Sequence, residues 1–156
     1  MTLYGTTSEE NNIGFFEKIG NNGIVKNLTL DNINISMNAE KENSRYYHIG
    51  GIAGVNFGNI SNCKVSGNIS CITQSGRADI GGIVALNYSN VLDSSVFADI
   101  YGDECNKSNV GGIVGAQYHD LDGYLKREIV RCSMSGSITG KYAGGIIGYS
   151  KDYDIS

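Results

Sequence analysis

The sequence predicts an all-β protein, a right-handed parallel β-solenoid (β-helix) of about four to five coils with a period of ~30–33 residues. The first observation behind this is a recurring phrase. IGGIAGVNFGNIS begins at Ile49, IGGIVALNYSNVL at Ile80, VGGIVGAQYHDLD at Val110 and AGGIIGYSKDYD at Ala143. The second glycine of each pair is Gly51, Gly82, Gly112 and Gly145, so the steps are 31, 30 and 33 residues. Self-similarity at such a period marks a stacked repeat. The second observation is that the apolar runs are short, rich in Ile and Val, and punctuated by Gly, Asn, Asp and Ser, which suits strands and not helices. The third is composition. There are 22 Gly and no Pro in 156 residues, and the glycines keep no three-residue rhythm, which excludes collagen.

The coils are taken in order as residues 13–48, 49–79, 80–109 and 110–142, with a partial coil at 143–156, all in one segment spanning 1–156. The first is a looser copy, IGFFEKIGNNGIVKNLTLDNINI, with Val25, Leu28 and Leu30 in places comparable to later coils. After each glycine pair a second phrase follows: ISNCKVSGNI from Ile60, VLDSSVFADI from Val91 and IVRCSMSGSI from Ile129. It aligns Ile60, Val91 and Ile129, then Val65, Val96 and Met134, then Ile69, Ile100 and Ile138, with small Cys63, Ser94 and Cys132 between. Stacked in parallel at about 4.8 Å, such positions form ladders. Ile52, Ile83, Ile113 and Ile146 form an aliphatic row. Asn56, Asn87 and Gln117 form an amide row, and Phe57, Tyr88 and Tyr118 an aromatic one. The glycine pairs mark where the chain bends or packs too tightly for a Cβ. Ala85-Leu86 departs from the glycine usual there, and a less tight turn is expected. Ile52 and Ala53 cannot both face one thin core, so either the backbone bends or both sheet faces are covered.

These phrases, GGIAGVN, GGIVALN, GGIVGAQ and GGIIGYS, resemble the GLUG repeat, and the FFEKIGNNGIVKNLTLDNINI lead-in is similar to the segment that precedes a first GLUG unit. The resemblance runs from about Ile13 to Tyr149. It implies a large secreted or surface-attached bacterial protein, such as an adhesin or the non-catalytic region of an IgA-specific metallo-endopeptidase. The expected role is a non-catalytic structural or adhesive module, secreted or at the cell surface. The alternatives are the non-catalytic N-terminal domain of a secreted metalloprotease and a carbohydrate-binding or carbohydrate-active β-helix.

The formal net charge is −4, and no basic run exceeds Lys126-Arg127, which argues against nucleic-acid binding. No apolar stretch reaches the length of a membrane span, so no membrane insertion is expected. The N-terminus lacks a signal-peptide pattern, and Thr2-Leu3-Tyr4 reads as the tail of a strand, so an excised piece of a longer secreted chain is expected. Its unpaired strand edges then lead to edge-mediated self-association.

No cofactor or metal is expected, and no enzyme. The metalloprotease signature is absent, and His48 and His119 read as surface or turn histidines. The acidic residues do not fall at one level of adjacent coils, as a carboxylate catalyst on a solenoid face requires: Asn62, Asp93 and Arg131 align, as do Asn68, Asp99 and Ser137. There is no Cys-x-x-Cys pair. Cys63 and Cys132 lie two rungs apart, about 9–10 Å, too far for a disulfide. Cys71 and Cys105 fall in loops of adjacent coils and are the one pair within reach; whether they bond is left open.

The one true insertion is HDLDGYLKRE, from His119 to Glu128. Asp120-x-Asp122-Gly123 has a passing likeness to a calcium loop but lacks its remaining acidic ligands. An insertion on a regular stack is where partner contacts sit. The candidate partner-binding residues are therefore Tyr88, Tyr118, Asp120, Asp122, Tyr124, Leu125, Lys126 and Arg127, facing a host surface protein or glycan.

Overall fold

The computed structural model of the chain describes residues 2–5, 11–39, 46–102, 105–118 and 127–151. Among them there is no helix, and the strands form three sheets of ten, five and four strands in which every pairing is parallel. This is a parallel β-solenoid of about four turns.

One coil shows the path. Tyr46–Gly50 lies on the large sheet, Ala53–Asn56 on the five-stranded sheet and Asn59–Ser61 on the four-stranded sheet. Lys64–Gly81 then returns to the large sheet and runs on into the next coil. Its first half pairs with Thr29–Ala39 and Ser95–Gly102, and its last residues with Tyr46–Gly50 and Cys105–Gly111.

The repeat spacing becomes the register. Ala53 is level with Val84, Val84 with Val114 and Val114 with Ile147, and Gly50, Gly81, Gly111 and Gly144 share another level. The aliphatic row forms as expected: the Ile52 N–H donates to the Ile83 carbonyl at 2.9 Å, Ile83 to Ile113 at 2.9 Å and Ile113 to Ile146 at 3.0 Å. The first coil joins the stack with one residue fewer. Ile13 is level with Ile49 but Phe16 with Ala53, because Gly14 stands alone where later coils carry a pair.

The glycine pair makes the corner. A Cβ on Gly50, Gly81 or Gly111 would lie 2.1, 1.9 or 1.9 Å from the carbonyl oxygen three residues on, closer than any real contact. The strand after the corner therefore folds flat onto the large sheet, and Gly115 and Gly148 bring it within 2.6 Å (measured from an added Cβ) of the backbone nitrogens of Ile80 and Val110. Both alternatives for Ile52 and Ala53 hold at once: the chain bends between strands, and both faces of Ala53–Asn56 are covered.

Two expectations are corrected here. The turn at Gly81 is as tight as its neighbours although Ala85 replaces glycine: a Cβ on Gly81 would lie 1.9 Å from the Val84 carbonyl oxygen, against 2.1 Å at Gly50 and 1.9 Å at Gly111, and the small Ala85 is fully buried beside it. His48 is not a surface or turn residue. It lies within Tyr46–Gly50 and is only 8% exposed, since the folded-back strands cover that face of the sheet.

A second corner repeats at Asn27, Asn62, Asp93 and Arg131, which have φ of 58°, 50°, 52° and 51°. Asn and Asp tolerate this left-handed region better than other non-glycine residues. Their side chains also bond along the stack: Asn62 Nδ2 donates to Asn27 Oδ1 at 2.7 Å, and Arg131 makes a two-point ion pair with Asp93. That pair is exposed and adds little stability.

The core is a set of isoleucine and valine columns running through the coils, with Ile35, Ile69 and Ile100 in one and Ile49, Ile80 and Val110 in another. The thiols line it. All four cysteines are free, and Cys63 and Cys132 are unbonded as the register requires. Cys71 and Cys105 are not in loops: both are buried in strands of the large sheet, where the Cys105 thiol donates to the Cys71 carbonyl at 3.3 Å. Contact with the Cys105 thiol, and then burial, holds the Cys71 pKa above the ordinary thiol value. Burial likewise raises Cys63 and Cys132.

The two kinds of glycine yield a test. Gly111→Ala places a methyl against a backbone oxygen that cannot move without opening the corner, whereas a Cβ on Gly145 meets nothing within 4 Å. Gly111→Ala is expected to lose about 1–3 kcal/mol or more by overpacking. Gly145→Ala stays within about 0.5 kcal/mol. Urea denaturation of the two variants checks this, and equal losses would remove the close-approach explanation.

Candidate functional site

The candidate surface grows out of the strand that follows each glycine corner. Asn56, Asn87 and Gln117 are level and buried, and their amides bond in series: Asn56 Nδ2 to Asn87 Oδ1 at 2.7 Å, and Asn87 Nδ2 to Gln117 Oε1 at 2.7 Å. Backbone partners orient the row. The Gly58 N–H donates to Asn56 Oδ1, so the Asn56 NH2 group must face the next coil, and Asn87 Nδ2 also donates to the Ser89 carbonyl. The row ends at Gln117 Nε2, which is buried and unpartnered, one rung before Ser150.

Beside the amides stand the rings. Phe57 and Tyr88 stack with centroids 4.7 Å apart and planes 3° from parallel, and Tyr88 and Tyr118 stack at 5.7 Å. The expected row is thus present. Tyr149 extends it at 6.3 Å with a 53° tilt, because it is level with Ala116 and reaches Tyr118 from two positions away along the strand.

Sequence reasoning missed what lies across the corner from these rings. Asn12, His48, Asp79, Asn109 and Tyr142 are level in successive coils. Each stands two residues before a corner glycine, in N-I-G, H-I-G-G, D-I-G-G, N-V-G-G and Y-A-G-G, so a signal was there to read. The first four form a polar column. His48 Nδ1 lies 2.7 Å from Asn12 Oδ1, His48 Nε2 lies 3.7 Å from Asp79 Oδ2, and Asn109 Nδ2 donates to Asp79 Oδ1 at 2.6 Å.

Asp79 is 2% exposed, and it is neutralised from the side by Arg77, whose Nε lies 3.3 Å from Oδ1. Arg77 in turn donates to the Tyr118 hydroxyl at 3.0 Å and sits 5.4 Å over the Tyr149 ring. Burial works against the Arg77 charge, but Asp79 and Tyr118 outweigh it and raise its pKa. Burial is also the main cause of the raised Tyr118 pKa, with Arg77 opposing it. One ionic cluster therefore ties the large sheet to the aromatic row.

Of the residues singled out from sequence, Tyr88 and Tyr118 are brought together in the stack. Arg127 joins them, donating to the Tyr118 carbonyl at 3.2 Å. His119, Asp120, Asp122, Tyr124, Leu125 and Lys126 lie outside the described residues. Among the described residues no group of three or more His, Cys, Asp or Glu is placed to hold a metal ion.

Residues 45–70 match the GLUG motif. The chain carries a GLUG unit. The matched span includes the strand Tyr46–Gly50, the glycine corner, Asn56 and Phe57, and the start of the return strand. The other three glycine pairs occupy the same levels of the stack as the GLUG corner. No curated protein and no solved structure matches the chain.

The amide row that starts in the GLUG unit at Asn56 is expected to stabilise the stack through hydrogen bonds that water cannot replace. Asn87→Ala strands the buried Asn56 Nδ2 and Gln117 Oε1, at a cost of about 1–3 kcal/mol for each orphaned group. Asn59→Ala removes only the exposed bond from Asn90 and is expected to change stability by less than about 0.5 kcal/mol. Chemical denaturation of both variants distinguishes them.

Proposed function

We propose that the chain is a non-catalytic structural and adhesive repeat module of a secreted or cell-surface bacterial protein. On this reading a rigid GLUG solenoid presents an inserted loop to a host surface protein or glycan. The observation that carries it is how the side chains are used. The aliphatic and amide rows are occupied in holding coil to coil, which leaves them little freedom to encode a ligand, so contacts are assigned to the insertion and the neighbouring Tyr88–Tyr118 row. The insertion, by contrast, falls in the sequence between Tyr118 and Arg127, which is bonded to the Tyr118 carbonyl. Asp120, Asp122, Tyr124, Leu125, Lys126 and Arg127 combine both charge signs with the aromatic and aliphatic anchors that interfaces favour. Self-association through strand edges belongs to the same reading. Phe16–Ile19 and Ile147–Lys151 each have one neighbour in the five-stranded sheet, and Phe15, Phe16 and Ile24 are exposed at that end of the stack.

The test is excision of residues 120–127. Beads coated with the full chain and with the shortened chain are compared for adhesion to cultured epithelial monolayers, alongside their melting temperatures. Loss of adhesion with a melting temperature held within a few degrees is the expected outcome. Unchanged adhesion with a large drop in melting temperature would make the loop a brace and overturn the assignment. Release of reducing ends from polysaccharide by the intact chain would overturn the non-catalytic reading. Sedimentation velocity over a concentration series reports the edge contacts, and a strictly monomeric chain would remove them.

A further inference from the structure

A cleft of about 420 Å3 opens on the far side of the Arg77 cluster, lined by Arg77, Lys107, Asn109, Tyr142 and Tyr149. Tyr142 comes from the large sheet and Tyr149 from the five-stranded sheet, so the two rings approach the cleft from either side of the last glycine corner. They are 57% and 38% exposed, so both rings are open to solvent at the cleft.

The charge of the cleft is positive within a chain of net charge −4. Lys107 is on the rung next to Arg77, about 4.8 Å away along the stack, and is exposed with no ion pair among the described residues. Arg77 is held from three directions, by Asp79, by the Tyr118 hydroxyl and by the Tyr149 ring, and among the described residues its Nη1 makes no hydrogen bond. Asp79 cannot cancel both cations. Its Oδ1 already accepts from Arg77 and Asn109, and its Oδ2 faces His48. One guanidinium with a free edge, fixed in advance by its neighbours, is a pre-organised anion donor.

We propose that this cleft binds an acidic saccharide, a pyranose ring bearing a carboxylate. The carboxylate bridges Arg77 Nη1 and Lys107 Nζ, a C–H face of the ring lies on Tyr142, and Asn109 Oδ1 accepts from a ring hydroxyl. The exposed face of Tyr142 beside two cations favours a ring over an extended acidic peptide, which would use the cations and leave the aromatic face idle. The described lining of this cleft is drawn from residues other than the insertion, so either assignment can fail without the other.

The experiment is an amide-resolved NMR titration of the full chain with sodium D-glucuronate, D-glucose, sodium acetate and a hexaglutamate peptide. The expected result is saturable shifts confined to residues 77–79, 107–110 and 142–149. Glucose and acetate, each lacking one half of the ligand, bind at least about tenfold more weakly, as loss of a charge-assisted contact implies. Lys107→Met and Tyr142→Ala each weaken glucuronate about tenfold with unchanged melting temperatures, and Lys107→Arg retains binding. Glucose or acetate matching glucuronate, shifts centred elsewhere, or tighter binding of hexaglutamate would each overturn the proposal.

Discussion

The whole stack depends on one close approach: two backbone segments lie against each other at each glycine corner with no side chain between them. At Gly50, Gly81 and Gly111 the space a Cβ would need is already filled by a carbonyl oxygen. This contact sets how far the five-stranded sheet folds back over the large one. It thereby decides that Ala53–Asn56 is covered on both faces and that His48 and Asp79 are enclosed. A side chain at the corner would push the layers apart and expose the amide row and the polar column together.

Parallel, in-register stacking places similar groups about one strand spacing apart, and the chemistry of each column follows. Amides suit this arrangement, because each carries both a donor and an acceptor, and Asn56, Asn87 and Gln117 bond in one direction. Rings suit it as well, and Phe57 and Tyr88 lie almost face to face. Charges do not, since like charges opposite each other repel. The charged column accordingly varies its chemistry from rung to rung, from Asn12 through His48 and Asp79 to Asn109, so that a carboxylate sits between a histidine and an amide. The exposed corner does the same with Arg131 over Asp93.

Features that break the periodicity are where recognition can be placed. The insertion falls between Tyr118 of the aromatic row and Arg127, which bonds the Tyr118 carbonyl. Tyr149 stands two positions out of step with Tyr118, level with Ala116, and Arg77 sits over its ring. Both departures occur towards the same end of the stack, where the strands have fewer neighbours and side chains are least buried.

The residue period by itself determined which positions are level, because in-register parallel pairing turns a spacing of 31, 30 and 33 into a rung. The Ile52–Ile83–Ile113 row, the amide row and the Phe57–Tyr88–Tyr118 row were therefore readable from the chain alone, as was the separation of Cys63 from Cys132. What spacing cannot convey is which faces a strand leaves open. His48 reads as a turn residue because nothing in H-I-G-G says that a later strand will fold over it, and Cys71 and Cys105 read as loop thiols because the strands continue through polar residues. The Arg77–Lys107–Tyr142–Tyr149 cleft was invisible for the same reason. Its walls come from two sheets that meet only after the glycine corner closes, so tertiary packing, and not local pattern, put those residues side by side.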